Sequence, residues 1–205
     1  TKILVDGEEQ PRLDFGNFNR LNTQTAQRLL IELRRWLPEI DILVVNQQAL
    51  RGVHSDSFRG RLIGLLEEYP DCLSVVDSRK YSSEFAPCIR KINEREAAVL
   101  CGREYSLEET VTLEQAREYG TTLYRRWGKP LFMTLGQRGC LVFEAGGSHE
   151  VPAALLLSRT DTVGAGDSFL AGSAAALAAG SSPREAAEFA VLVAGVTVRK
   201  LFVTG

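Results

Sequence analysis

Asp161, Gly164, Ala165, Gly166 and Asp167 fall within the ten residues TDTVGAGDSF at 160–169, and this spacing is the strongest chemical signal in the chain. Phe169, Leu170 and a series of alanines up to Ala179 follow with no breaker before Gly180, which predicts a helix beginning at the glycines. The first N–H groups of such a helix have no intrahelical acceptor, and together with the positive end of the dipole they attract an anion. Glycines let a phosphate approach the main chain closely. A carboxylate beside that phosphate would repel it, so Asp167 makes chemical sense as a base. It can take a proton from an attacking hydroxyl while the helix start holds the negative charge on the transferred group. A plainer reading makes Asp167 a favourable charge in a first helical turn and the glycines a tight loop.

Positioning such a turn takes a layered body, and the rest of the chain supplies the pattern for one. From about residue 22 the apolar period switches repeatedly between helical and strand-like, without a linker or low-complexity tract, which predicts one α/β domain. Ala26, Leu29, Leu30, Leu33 and Leu37 follow helical spacing, and Pro38 ends that helix. DILVVN reads as a strand buried on both faces. A helix at SDSFRGRLIGLLEEY, a strand at LSVVD, a short strand at CIRKIN and a helix at EREAAVLCG follow. Thr112 and Gln115 form a capping box for a helix running to Trp127, where Gly128 can close it. PLFMTLG and GCLVFEAG read as consecutive strands around a tight turn at 136–139. Two helices finish the chain, the second opened by Ser182, Pro183 and Glu185. The first 20 residues alternate weakly and turn at Asp6 and Gly7, as an exposed hairpin would.

Composition narrows the function classes. A formal net charge of -2 over 205 residues gives no basic field for nucleic acid or an anionic membrane, so small-molecule partners are expected. Cys72, Cys88, Cys101 and Cys140 form no Cys-x-x-Cys pair, and His54 and His149 are far from them in sequence and are expected at the surface. That scatter predicts neither a zinc site nor a disulfide framework. No apolar run approaches the ~18 residues of a membrane span, and the expected location is the cytoplasm.

DTVGAGDSFLAG resembles the C-terminal signature of the ribokinase-like, or PfkB-type, carbohydrate kinases, and other segments agree in order and approximate spacing. The resemblance implies a ribokinase-like layered α/β fold, with a mainly parallel central sheet flanked by helices and a small β lid. Residues 1–20 would be the lid and 21–205 the C-terminal, ATP-binding portion of the kinase domain. It implies that Asp167 is the catalytic base, that the amides of Gly164, Ala165 and Gly166 form the anion hole, and that Asp161 lies near the substrate or a monovalent-cation loop. ATP, Mg2+ and a monovalent cation such as K+ are the implied cofactors. Pairing of the lids would give a homodimer.

Other segments carry weaker signals, each with a structural alternative. INERE resembles the Asn-x-x-Glu motif of the family, so Asn93 and Glu96 would organise magnesium and phosphates through water; the same residues read as a helix cap with its reciprocal partner. MTLGQRGC would place Thr134, Gly136 and Gly139 near the nucleotide, or be a plain glycine-bearing hairpin. The last helix would bring Ala190 and Ala194 beside the adenine, or simply pack in the core. VVDSRK sets Asp77 and Arg79 at a strand end, the edge where α/β sheets carry their sites, and Arg79 would face a nucleotide phosphate or be an ordinary loop arginine.

Within the family the likeness is to the heptose-phosphate kinase module of ADP-heptose synthesis, on QPRLDFGNFNRLN, SAAALAAG and AGVTVRKL. This chain has NQQALRG where that subgroup carries an Asp-Tyr-x-Lys-Gly type of segment, with Asn46 at the aspartate position. Family members begin with strands, a Gly-Gly signature and sugar-contacting residues that this sequence lacks, so it reads as part of a longer protein. The expected activity is ATP-dependent phosphorylation of a sugar or sugar phosphate, such as a heptose 7-phosphate. The alternative is a catalytically silent nucleotide-binding or regulatory subunit. A Rossmann-type dinucleotide enzyme fits less well, because the glycine turn comes late and no strand with an acidic residue follows it.

Overall fold

The computed structural model describes residues 4–5, 8–9, 20–49, 52–104, 109–154 and 160–200. Two short strands, β1 (Leu4–Val5) and β2 (Glu8–Glu9), pair antiparallel, Leu4 with Glu9 and Val5 with Glu8. The turn expected between them at Asp6 and Gly7, and the whole QPRLDFGNF segment, lie outside the described residues. The body then runs α1 (Thr23–Trp36), β3 (Ile42–Gln47), α2 (Asp56–Glu68), β4 (Leu73–Ser78), β5 (Ile89–Asn93), α3 (Glu94–Leu100) and α4 (Leu113–Trp127). It continues with β6 (Leu131–Thr134), β7 (Cys140–Glu144), β8 (Gly147–Val151), α5 (Ala165–Ala178) and α6 (Pro183–Thr197).

Six strands form one sheet in the order β3-β4-β5-β6-β7-β8; the pairs from β3 to β6 are parallel and the last two antiparallel. Parallel neighbours need crossover connections, which are helical here except between β4 and β5, and the alternation of apolar residues shows where the helices pack. Ile89, Phe132, Cys140 and Val142 face α5 and α6, whereas Ile92, Leu131, Met133, Leu141 and Phe143 face the layer holding α3 and α4. Val45 and Val76 join α1 and α2 through Leu30, Phe58, Leu62 and Leu66. The result is a layered α/β domain, as expected from the alternating pattern, with the mostly parallel sheet flanked by helices that the family resemblance implies.

Most helix ends follow local chemistry. Asn22 accepts a hydrogen bond from the Thr25 N–H and opens α1. Asn93 with Glu96, Thr112 with Gln115 and Ser182 with Glu185 all form reciprocal capping boxes. Gly164 caps α5 at φ 81°, a left-handed conformation that a residue with a side chain adopts only under strain.

Three expectations differ from the structure. DILVVN forms β3, but this strand is the edge of the sheet among the described residues, and Val44 is 38% exposed. An uninterrupted apolar run reports a hydrophobic strand and carries no information on its place in the strand order. β8 was not anticipated because GSHEV is polar and only Val151 in it is buried. His54 is half-buried against aromatic rings, whereas His149 keeps 31% of its side chain exposed on β8, as expected. His54 is edge-on to Phe58 and Phe85 at 6.1 and 6.5 Å, with its pKa pushed down by burial and by Arg59; His149 Nε2 is 3.4 Å from Glu144 Oε1.

Candidate functional site

A cleft of about 470 Å³ opens where the C-terminal ends of β4 and β5 meet the start of α5. Gln48, Asp77, Arg79 and Lys91 line it together with Asn93, Glu96, Gly166 and Asp167. Carboxyl ends of strands are the open edge of a parallel sheet, where crossovers leave backbone and side chains free for ligands.

The sheet register builds the centre of this cleft. Asp77 on β4 and Lys91 on β5 are partners in the parallel ladder, and both point to the face that carries α5. Their side chains form an ion pair, Lys91 Nζ to Asp77 Oδ2 at 2.6 Å, with only 3% and 8% of Asp77 and Lys91 exposed. A buried charge is stable in such a place only with a partner. The ammonium also lies against the start of α5, since a β-carbon placed on Gly166 would be 3.1 Å from Lys91 Nζ. Glycine at 166 therefore leaves the room that the lysine occupies. Lys91 was read from the sequence only as part of a strand. Its neighbour in alternation, Arg90, points to the other face, where it donates to the carbonyls of Ser82, Cys88 and Phe85 and lies 4.4 Å from the Trp127 ring centre. Burial pulls the Arg90 guanidinium down to about 10, which leaves it charged at neutral pH.

The turn before α5 is held by its own polar groups. Asp161 Oδ1 accepts from the Val163 N–H at 3.0 Å, and the Asp161 N–H donates to the Val198 carbonyl beyond α6. The Ala165 N–H is engaged by the Thr162 carbonyl at 3.2 Å. The N–H groups of Gly166 and Asp167 take no acceptor among the described residues, and both residues line the cleft. Phe169 packs edge-on against Phe132 of β6 at 5.9 Å, and the Thr197 hydroxyl donates to Ser168 Oγ at 2.7 Å. These contacts set the rotation of α5 and turn the Asp167 side chain outward. There Asp167 Oδ1 accepts from Asn46 Nδ2 at 3.4 Å.

Asn93 and Glu96 combine the helix cap with a place at the cleft. Asn93 Oδ1 accepts from the Arg95 and Glu96 N–H groups, Glu96 Oε2 accepts from the Asn93 N–H, and both residues line the cleft. Burial raises the Glu96 carboxyl above its ordinary value and nearby Asp77 adds to the rise, against the Asn93 amide, Lys91 and Arg79. Thr134 closes β6 and donates to the Ile92 carbonyl. Gly136 is exposed at the β6–β7 turn, and Gly139 lies at φ 95° against the backbone of residues 151–153. Ala194 packs on the core under α6. Thr134, Gly136, Gly139, Ala194 and Asp161 do not line the cleft.

Burial pushes up the pKa of all four cysteine thiols, so none is poised as a thiolate nucleophile. No group of three or more His, Cys, Asp or Glu among the described residues is arranged to hold a metal by itself. No helix among them is long and apolar enough to cross a membrane.

The chain matches the pfkB family carbohydrate kinase over residues 4–204. It is 25% identical over 205 residues to the bifunctional protein HldE of Desulfatibacillum aliphaticivorans, a likeness covering 98% of this chain and 40% of that protein. It is 30% identical over 110 residues to the ribokinase of Schizosaccharomyces pombe, covering 53% of this chain and 33% of that protein. Among solved structures it is similar to the phosphofructokinase-2 of Escherichia coli in complex with potassium, with a TM-score of 0.74 at 22% identity over 95% of this chain and 62% of that one. The chain thus spans less than half the length of the two curated relatives, and the structural likeness establishes a shared layered fold.

Proposed function

The chain belongs to the pfkB family of carbohydrate kinases, and on that premise we propose that it carries the phosphate-handling side of a transfer from ATP to a sugar or sugar-phosphate hydroxyl. The observation that carries this reading is the convergence of Lys91, the start of α5 and Asp167 on one cleft. A buried ammonium beside unpaired helix-start amides can hold a phosphoryl group, and a carboxylate one residue further on can hold the acceptor's proton.

The acceptor hydroxyl oxygen forms a bond to the γ-phosphorus, the bond from that phosphorus to the bridging oxygen breaks, and ADP leaves with the electron pair. The hydroxyl proton goes to Asp167. The amides of Gly164, Ala165 and Gly166 form the proposed anion hole; with the Ala165 N–H engaged by Thr162, the Gly166 N–H and its neighbour at Asp167 are its principal donors. Lys91 and Arg79 offset charge on the transferring group, as fixed cations do in phosphoryl transfer.

Asn93, Thr134, Gly136, Gly139 and Ala194 are proposed for nucleotide binding, and Asp161 for substrate binding. Mg2+ is commonly held by one or two carboxylates with phosphate oxygens and waters, and Glu96 with Asn93 offers oxygen donors of that kind at the cleft. Bound there, the ion would neutralise phosphate charge. The similar phosphofructokinase-2 of Escherichia coli, solved in complex with potassium, supports a monovalent cation such as K+ as a further cofactor. A lid at 1–20, of which β1 and β2 are the described part, an ATP-binding portion at 21–205 and a homodimer through that lid belong to the same proposal. A heptose phosphate as acceptor and a cytoplasmic location complete this proposal, the acceptor resting on the resemblance of QPRLDFGNFNRLN, SAAALAAG and AGVTVRKL to the heptose-phosphate kinase module.

Full-length protein incubated with ATP, Mg2+ and a panel of sugars and sugar phosphates tests this reading. ADP release matched by a new sugar phosphate is expected, with a heptose 7-phosphate the preferred acceptor. ATP binding without transfer to any acceptor would overturn it in favour of a silent nucleotide-binding subunit.

A further inference from the structure

Asp167 is touched by a neutral amide. Asn46, at the end of edge strand β3, directs Nδ2 to Asp167 Oδ1 at 3.4 Å, and its own Oδ1 accepts from Gln48 Nε2 at 2.7 Å. The second bond decides the first. With the amide oxygen occupied by Gln48, the N–H side is the one that faces the carboxylate. The strand end beneath them is pinned: Gln47 is buried, its Oε1 accepts from the Ser78 hydroxyl at 2.7 Å and from the Lys80 N–H, and its Nε2 donates to the Ala49 carbonyl. Asn46 and Gln47 alternate across the strand, so fixing one side chain into the sheet aims the other at α5.

We propose that Asn46 is a positioning residue for Asp167, its amide N–H holding Oδ1 so that Oδ2 is turned to the acceptor hydroxyl, with Gln48 setting the amide's orientation. This inference rests on Asp167 being the base. The neutrality of the amide matters as much as its hydrogen bond. Lys91 and Arg79 are the cations that share the cleft with Asp167, and Asp77 and Glu96 are its carboxylates, Asp77 being paired to Lys91. The Asp-Tyr-x-Lys-Gly type of segment sets a lysine three residues after its aspartate, where this chain has Ala49; without that cation, a third ionised carboxylate at 46, in contact with Asp167, would disfavour the base form at neutral pH. The amide supplies the same reach without that charge.

Steady-state kinetics of the full-length protein with ATP and its best acceptor, run against pH, tests this with Asn46→Asp, Asn46→Ala and Gln48→Ala beside Asp167→Asn. Asn46→Asp is expected to move the acid limb of kcat/KM up by about one pH unit or more, with recovery at high pH. Asn46→Ala is expected to lower kcat by about two- to fivefold, the scale of one long hydrogen bond, and to leave the ATP dissociation constant unchanged; Gln48→Ala follows it with a smaller loss. An unmoved acid limb in Asn46→Asp, together with an unchanged kcat in Asn46→Ala, would overturn the positioning role while Asp167→Asn still abolished turnover. Full turnover in Asp167→Asn, or none in the parent protein, would overturn the underlying reading and this inference with it. Circular dichroism and thermal unfolding of each variant separate a loss of fold from a loss of alignment.

Discussion

Lys91 Nζ lies 2.6 Å from Asp77 Oδ2, and the two residues are register partners on adjacent parallel strands. Parallel pairing thus places a cation and an anion side by side at the sheet's open edge, under the first turn of α5. Exposed pairs contribute little, but removing one member of a buried pair leaves an uncompensated charge.

Lys91→Met is expected to destabilise the protein by about 3–5 kcal/mol. Asp77→Leu combined with Lys91→Met is expected to recover most of that loss, because it removes both charges. Urea unfolding of the two variants checks this, and a double variant no more stable than the single one would contradict it. The double variant is also expected to lose ATP affinity despite its restored stability, which calorimetry measures.

Glu96 should leave a trace in the pH dependence of stability. Its folded pKa is raised, first by burial and then by Asp77, above the ordinary value of 4.5. Ionising it therefore costs more in the folded chain than in the unfolded one. The favourable contribution is fully present below 4.5 and is lost as pH climbs from there through the raised folded value. Glu96→Gln, whose amide oxygen can still accept from the Asn93 N–H, is expected to flatten that slope in metal-free buffer. Thermal midpoints recorded against pH would contradict this by showing parallel curves for the two proteins.

Gly139 ties the β6–β7 turn to β8. Its φ of 95° and the approach of the Val151–Ala153 backbone leave no place for a β-carbon. Gly139→Ala is expected to cost about 1–3 kcal/mol, the range for overpacking a closed site, and differential scanning calorimetry would register it as a lower Tm. An unchanged Tm would show that the turn can shift without strain.

Local chemistry was the legible part of the chain. The capping boxes at Asn93 with Glu96, Thr112 with Gln115 and Ser182 with Glu185 form as their three-residue spacing requires, and the glycines of the 160–169 segment do begin a helix. What escaped the sequence depends on partners far along the chain. Lys91 alternates within IRKIN like any strand residue, and only its register with Asp77, fourteen positions earlier, makes it a buried ion. Asn46 drew notice as a departure from a subgroup's aspartate, yet its contact spans 121 positions to Asp167 and rests on how β3 and α5 pack. The edge position of β3 among the described strands likewise follows from strand order, on which the apolar run ILVV is silent.

Asp167→Asn in the full-length protein probes the central claim, that this carboxylate accepts the acceptor's proton, most directly. The substitution keeps the size and the outward position of the side chain and removes its basicity. The account predicts ATP binding within about twofold of the parent, by the ordinary persistence of contacts not involving the changed group, and turnover lower by at least about 100-fold. Turnover within a few-fold of the parent, with ATP bound normally, would contradict it and leave Asp167 a charge in a helix's first turn.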